Sequence, residues 1–220
     1  AFAPRIGRLA TGERAVGAVT EPQGPALRPV GVADVAPGIE HLAHRPAGVH
    51  RDQRVGGRLG LPKVESARQM LHALNPECVV ETIPVRLSGG ELNDAVAQFD
   101  VVVDASDNFA TRFAVNRACV AARKPLVSGA AIRFEGQLTV FDARRDDSPC
   151  YRCLYPELDD EAETCTGNGV VAPLPGVIGS LQALEAIKLI TGAGEPMIGK
   201  LLALDTLTMV FIGLICILCI

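Results

Sequence analysis

Asp100-Val101-Val102-Val103-Asp104-Ala105-Ser106-Asp107-Asn108 decides how the chain is read. Three consecutive valines closed by a carboxylate are the pattern of a parallel strand covered on both faces, because a strand with one solvated face alternates apolar and polar residues. The small and polar residues that follow form the kind of loop that leaves the carboxyl end of such a strand, where ligands sit in open α/β sheets. Asp107 in that loop can hold a metal, orient a metal-bound phosphate, or cap the next helix. Its position does not choose among these.

On the carboxyl side, Thr111 to Ala122 predicts a helix, Pro125 to Ser128 a short strand and Gln137 to Phe141 another with β-branched content. Val177 to Ile190 predicts the longest helix, with Val177, Ile178, Leu181, Leu184, Ile187 and Ile190 at helical spacing and Gly192 placed to end it. On the amino side, Leu92, Ala95, Val96 and Phe99 predict a short helix after Ser88-Gly89-Gly90, and Val79, Val80, Ile83 and Val85 a strand. Val64, Ala67, Met70, Leu71 and Leu74 share one helical face between Pro62 and the stop at Asn75-Pro76. Alternating strands and helices imply an α/β sheet. Lys63 opens the first helix, where a lysine can meet a phosphate as a point charge or remain a solvated surface cation.

The seven cysteines lie in a chain with no hydrophobic secretory segment, which fits a reducing cytoplasm rather than a disulfide framework. Cys150-Tyr151-Arg152-Cys153 can chelate one Zn²⁺ through a tight turn, but a closed structural site needs four ligands. A second pair, Cys216 and Cys219, stands in the apolar run from Met209 to Ile220, which is too short to span a bilayer. Cys165 sits in a polar loop, Thr164-Cys165-Thr166-Gly167-Asn168-Gly169, where a thiol can be a nucleophile or sulfur acceptor, or inert. Cys78 and Cys119 fall in strand and helix patterns and read as core residues.

Composition adds a boundary. The chain has 220 residues, 48% hydrophobic and 21% charged, with a formal net charge of −4, so it offers no basic field for a nucleic-acid backbone, and neither nucleic acid nor membrane is expected as a partner. The average hides two compositions. Residues 1–58 are rich in Ala, Gly, Pro, Arg and Val, contain neither Lys nor Cys, and carry prolines at 4, 22, 25, 29, 37 and 46 that interrupt any regular element. They read as an atypical segment, disordered or translated out of frame, ahead of an interpretable domain at 59–208 and an atypical apolar tail at 209–220.

Five blocks in order carry a family resemblance: Pro62 to Ala67; Asp104 to Asn108 with Arg112 and Asn116; Ser128 to Gln137; Cys150 to Cys153; and Gly176 to Lys188. Together they resemble the MoeB/ThiF/HesA adenylyltransferases, bacterial relatives of ubiquitin-activating enzymes. The Ser128–Gln137 block is most similar to the molybdopterin-synthase branch, with the thiamine-biosynthesis branch its nearest rival. The resemblance implies a Rossmann-like, ThiF-type nucleotide-binding α/β fold, here incomplete in its N-terminal half. It implies ATP and Mg²⁺ as cofactors, Zn²⁺ in a four-cysteine site, and a homodimer acting on a ubiquitin-like sulfur-carrier protein with a C-terminal Gly-Gly. The reaction implied is attack of the carrier's C-terminal carboxylate on the α-phosphate, releasing pyrophosphate.

By the same resemblance Lys63, Asp107 and Asn108 serve the nucleotide, with Asp107 also catalytic. Cys165 matches a loop cysteine of sulfur or thioester transfer. Cys150 and Cys153 match half of the zinc site, leaving Cys216 and Cys219 for the other half. Two departures stand beside these matches. Residues 1–58 contain no Gly-x-Gly-Gly-x-Gly turn, and the apolar run after Met209 replaces a charged linker and final CxxC. Frame changes at both ends of an intact central segment would produce both, and reading the coding DNA in its other frames tests that. The expectations that follow are weak or absent ATP–pyrophosphate exchange and sheet edges exposed by a missing first strand. A carrier-binding module without catalysis is the competing expectation. A nicotinamide-dependent oxidoreductase is disfavoured, because no dinucleotide fingerprint is present.

Overall fold

The computed structural model describes residues 9–10, 30–32, 60–155, 169–206 and 211–216. Its strands are β1 (Leu9–Ala10), β2 (Val30–Val32), β3 (Thr82–Ile83), β4 (Val101–Asp104), β5 (Pro125–Ile132), β6 (Glu135–Asp142), β7 (Lys200–Asp205) and β8 (Phe211–Cys216). Its helices are α1 (Lys63–Leu74), α2 (Gly89–Ala97), α3 (Phe109–Ala121), the single turn α4 (Tyr151–Leu154) and α5 (Pro173–Thr191). The main sheet runs β2-β4-β5-β6-β7-β8, and β1 pairs with β3 apart from it. β2, β4 and β5 are parallel, whereas β6, β7 and β8 are joined antiparallel.

The valine run behaves as its composition dictates. Val102 joins the core beneath α2 and α3 with Leu92, Val96, Phe113 and Leu126. Val101 and Val103 point the other way, into a second core with Val127, Leu138, Val140 and Ala186 of α5. Strand alternation therefore serves two cores, and each fully buried valine contributes about 1.5 kcal/mol. Asn108 starts α3 in an extended conformation, its side chain accepting the Thr111 amide at 2.8 Å. Gly192 ends α5 at φ 67°, its amide donating to the Lys188 carbonyl.

Several expectations need adjustment. The strand predicted across Val79 to Val85 shrinks to Thr82–Ile83, with Val79 and Val85 exposed. Two short strands fall in residues 1–58, where three-residue and two-residue elements are too short to show a period. β2 lies beside β4, so β4 is an interior strand and not a sheet edge. The sheet is also mixed, because β5 and β6 form a hairpin closed by Arg133-Phe134, with Arg133 at φ 51°. Backbone bonds from Arg133 to Gly169 and Val171 hold that left-handed residue in place.

The largest departure is in α5. The helix forms as its spacing predicts, but the apolar residues that predict it do not all face the core: Val177, Leu184 and Ile187 are 45%, 49% and 43% exposed. Leu174, Ile178, Gln182, Glu185 and Ala186 are buried instead. By length and apolar composition α5 could cross a membrane, but it packs against β4, β5 and β6. Glu185 is stable there because Lys188 Nζ lies 2.5 Å from one carboxylate oxygen and the Met197 amide donates to the other at 2.8 Å. Glu185→Ala strands both donors, and we expect a loss of about 2 kcal/mol, read as a lower urea midpoint at unchanged slope.

Candidate active site at the carboxyl end of β4

The loop after β4 is clamped by its neighbours. Asp104, fully buried, turns its carboxylate onto the Ser106 amide at 2.9 Å. The Ser106 carbonyl accepts Arg112 Nη2 at 2.6 Å from the second turn of α3. Asn108 takes the capping position and donates Nδ2 to Asp107 Oδ1 at 3.1 Å. Capping is thus the work of Asn108, and Asp107 keeps its carboxylate for a cleft. That cleft runs between the start of α3 and the β5–β6 hairpin, with Asp107, Asn108 and Arg112 on one side and Ile132, Glu135 and Gln137 on the other.

Lys63, the first residue of α1, lies within electrostatic reach of Asp107 in this loop. Burial lowers its pKa below the ordinary lysine value, and the Asp107 charge opposes that shift without cancelling it. A half-buried ammonium and a carboxylate therefore share one electrostatic neighbourhood at the strand end. Asp107→Asn removes the opposing charge while burial stays, so the Lys63 pKa is expected to fall further. Acetic anhydride labelling of Lys63, followed by peptide mass spectrometry, should then begin at lower pH; an unchanged or higher onset contradicts the pairing.

Arg112 was visible only as a quoted motif residue, and Tyr155 and Gln137 carried no signal as site residues. Arg112 is buried beside Tyr151 and Tyr155; burial raises both phenol pKa values and the guanidinium opposes it. Tyr155 Oη donates to Gln137 Oε1 at the cleft wall. Phe109, next to Asn108, meets the Tyr155 ring edge-on at 5.9 Å between centroids. The signal available in the sequence was spacing: Arg112 lies one helical turn beyond Asn108, on the face that looks back at the loop.

Cys150 and Cys153 bracket the first turn of α4, their sulfurs 3.8 Å apart. The Asn116 side chain accepts the Tyr151 amide at 2.9 Å and anchors that turn to α3. Among the described residues no group of three or more His, Cys, Asp or Glu side chains is placed to hold a metal. Cys216 ends β8 in register with Lys200 of β7. Cys165 and Cys219 lie outside the described residues. Cys78 and Cys119 are buried, as their patterns predicted, and burial drives the Cys119 thiol pKa far upward, assisted by Asp104.

A sequence profile of the ThiF family matches residues 47–214. Molybdopterin-synthase adenylyltransferase of Escherichia coli K12 is 48% identical over 163 residues, covering 74% of this chain and 64% of that protein. The SAMP-activating enzyme E1 of Haloferax volcanii is 44% identical over 165 residues, covering 74% and 58%. The chain thus spans roughly three fifths of the length of these curated relatives. Among solved structures, E. coli MccB with ATP superposes with a TM-score of 0.62 at 19% identity, covering 75% of this chain and 51% of that one. MccB in complex with N-formylated MccA gives 0.64 at 16% identity, covering 87% and 58%, a likeness of fold.

Proposed function

Since the chain belongs to the ThiF family, we propose that its site adenylylates the C-terminal glycine carboxylate of a small ubiquitin-like sulfur carrier ending in Gly-Gly, in molybdenum cofactor biosynthesis. The observation that carries this reading is the cleft beyond the carboxyl end of β4, lined by Asp107, whose carboxylate is clear of capping and acts electrostatically on Lys63. A carboxylate is a poor acyl donor, and exchange of pyrophosphate for it at the α-phosphate of ATP supplies a good leaving group. Lys63 balances phosphate charge as the pentavalent centre forms, in a partly dry setting that strengthens the attraction. Asp107, free of capping duty, would be the carboxylate that holds Mg²⁺, and the ion would offset part of the triphosphate charge. Asn108 fixes the Asp107 carboxylate, and Arg112 holds the loop that presents it.

The 3.8 Å separation of the Cys150 and Cys153 sulfurs suits two thiolates on one tetrahedral Zn²⁺ with bonds of about 2.3 Å. Cys216 and Cys219 would complete that set. Cys165 would receive the activated acyl group or sulfur, and a homodimer in the reducing cytoplasm is the setting this reading assigns. One observation favours a second reading, a carrier-binding module without catalysis: no Gly-x-Gly-Gly-x-Gly turn occurs in residues 1–58.

ATP–pyrophosphate exchange with Mg²⁺ and a Gly-Gly carrier separates them. Exchange that depends on the terminal Gly-Gly, even if slow, supports adenylylation. Carrier binding without exchange supports the module, and neither binding nor exchange sinks both. Zinc content measured beside Cys216→Ser tests the metal set, because content unchanged by the substitution removes Cys216 from it.

A further inference from the structure

We infer that Gln182 is a positioning residue that sets the place of Asp107 by tying the carboxyl end of β4 to the amino-terminal half of β5; the inference rests on the adenylylation reading for what that placement accomplishes. Gln182 sits in the middle of the buried face of α5, 2% exposed, among Leu174, Ile178 and Ala186. Its Nε2 donates to the Asp104 carbonyl at 2.7 Å and to the Val127 carbonyl at 3.3 Å. These are the last residue of β4 and the residue preceding its register partner Ser128 on β5. Where β4 leaves the sheet the backbone ladder stops, and the two carboxamide hydrogens continue it from outside. The last residue of β4 is therefore tied to β5, which runs on to Ile132, by one side chain from a helix as well as by the ladder.

Two further features fit this role. A Cβ at Gly129 would fall 2.4 Å from Gln182 Cδ, so the carboxamide reaches the two strands only across a glycine. Asp104, whose carbonyl Gln182 holds, also fixes the Ser106 amide through its own carboxylate. The chain of bonds runs Gln182, Asp104, Ser106, with Arg112 closing on Ser106 from the far side and Asp107 next in line. A leucine or methionine would fill the same space in this apolar face without needing partners. A buried carboxamide there needs its two carbonyl partners, and through them it fixes the backbone.

Gln182→Met keeps the length and removes both donors; Gln182→Asn keeps the amide but falls one methylene short; Gly129→Ala displaces the native side chain. In each, kcat for adenylate formation should fall about 10- to 100-fold, the cost of misplacement by up to about 1 Å, with KM for ATP within about twofold. Amide hydrogen exchange at 105–108 should quicken while protection in β5 and β6 holds. Gly129→Ala combined with Gln182→Met should lose no more than the worse single variant, because both break the same bonds. Unchanged exchange at 105–108, or protection lost evenly across β4 to β6, overturns the inference. If the parent chain forms no adenylate, the reading of function falls while the exchange comparison still decides the role of Gln182. Should Gln182→Met not fold, Gln182→Asn and Gly129→Ala carry the same comparison.

Discussion

Asp107→Asn is expected to form acyl adenylate at no more than about one hundredth of the parent rate, with thermal stability essentially intact. The carboxylate supports little of the fold: Asn108 caps α3, Arg112 and Asp104 shape the loop, and Asp107 itself receives one side-chain bond from Asn108. Surface changes of that kind move stability by about 0.5 kcal/mol or less. The loss in rate comes from charge. Removing one preorganised electrostatic partner of a developing phosphorus centre costs roughly 10²- to 10³-fold, and neutral Asn is a poor ligand for Mg²⁺. Single-turnover adenylate formation, with ATP and carrier in excess, reads the ratio even where the absolute rate is low. A variant within tenfold of its parent would remove Asp107 from the chemistry.

The second large effect is structural. Tyr151→Ala is expected to cost about 3–5 kcal/mol, the range for deleting a large buried ring. Tyr151 is 1% exposed and sits at the hub of an aromatic cluster, edge-on to Phe113 at 5.3 Å and Phe141 at 6.1 Å and tilted against Tyr155 at 4.9 Å. Its neighbours line the cleft on one side and carry the cysteine pair on the other, so the cavity would loosen both. Urea denaturation measures the shift. Tyr151→Phe keeps the ring and should retain most of the stability at neutral pH.

The same residue gives a pH dependence. Burial pushes its phenol up to about 12, against the Arg112 charge. A pKa raised in the folded state contributes stability that is complete below the unfolded phenol value of about 10 and is lost as pH rises towards 12. Part of the alkaline loss should therefore disappear in Tyr151→Phe. An identical alkaline profile in the two proteins would contradict that assignment.

What could be read from sequence divides along physical lines. Val101 to Val103 announced a two-sided strand because three adjacent valines leave no solvated face, and the two cores behind them follow. Helix limits at Asn75 and Gly192 were legible because caps are local chemistry. β7 and β8 were not, since antiparallel partners are chosen by contacts distant in the chain. The inner face of α5 was not legible for a related reason. Spacing alone assigns apolar residues inward, yet Gln182 and Glu185 are held in the core by carbonyls and an amide that only the folded chain brings near. Asp107 was ambiguous between cap and ligand holder until Asn108 was seen to take the cap. Its electrostatic coupling to Lys63 spans two helices and two strands, and no local pattern records it.

The bond from Gln182 to Asp104 closes a loop of 78 residues, which gives the cleft a place in time as well as in space. A ribosome adding about 5–20 residues per second makes the β4 end some 4–16 s before it makes the helix that braces it. During that interval the hairpin of β5 and β6 can form, while the carbonyls of Asp104 and Val127 wait for water or a wrong donor. The acidic loop is therefore among the first parts of the cleft to be synthesised and among the last to acquire its working shape. Substitutions in α5 should accordingly alter how much soluble protein emerges from translation more than they alter the half-life of molecules already folded.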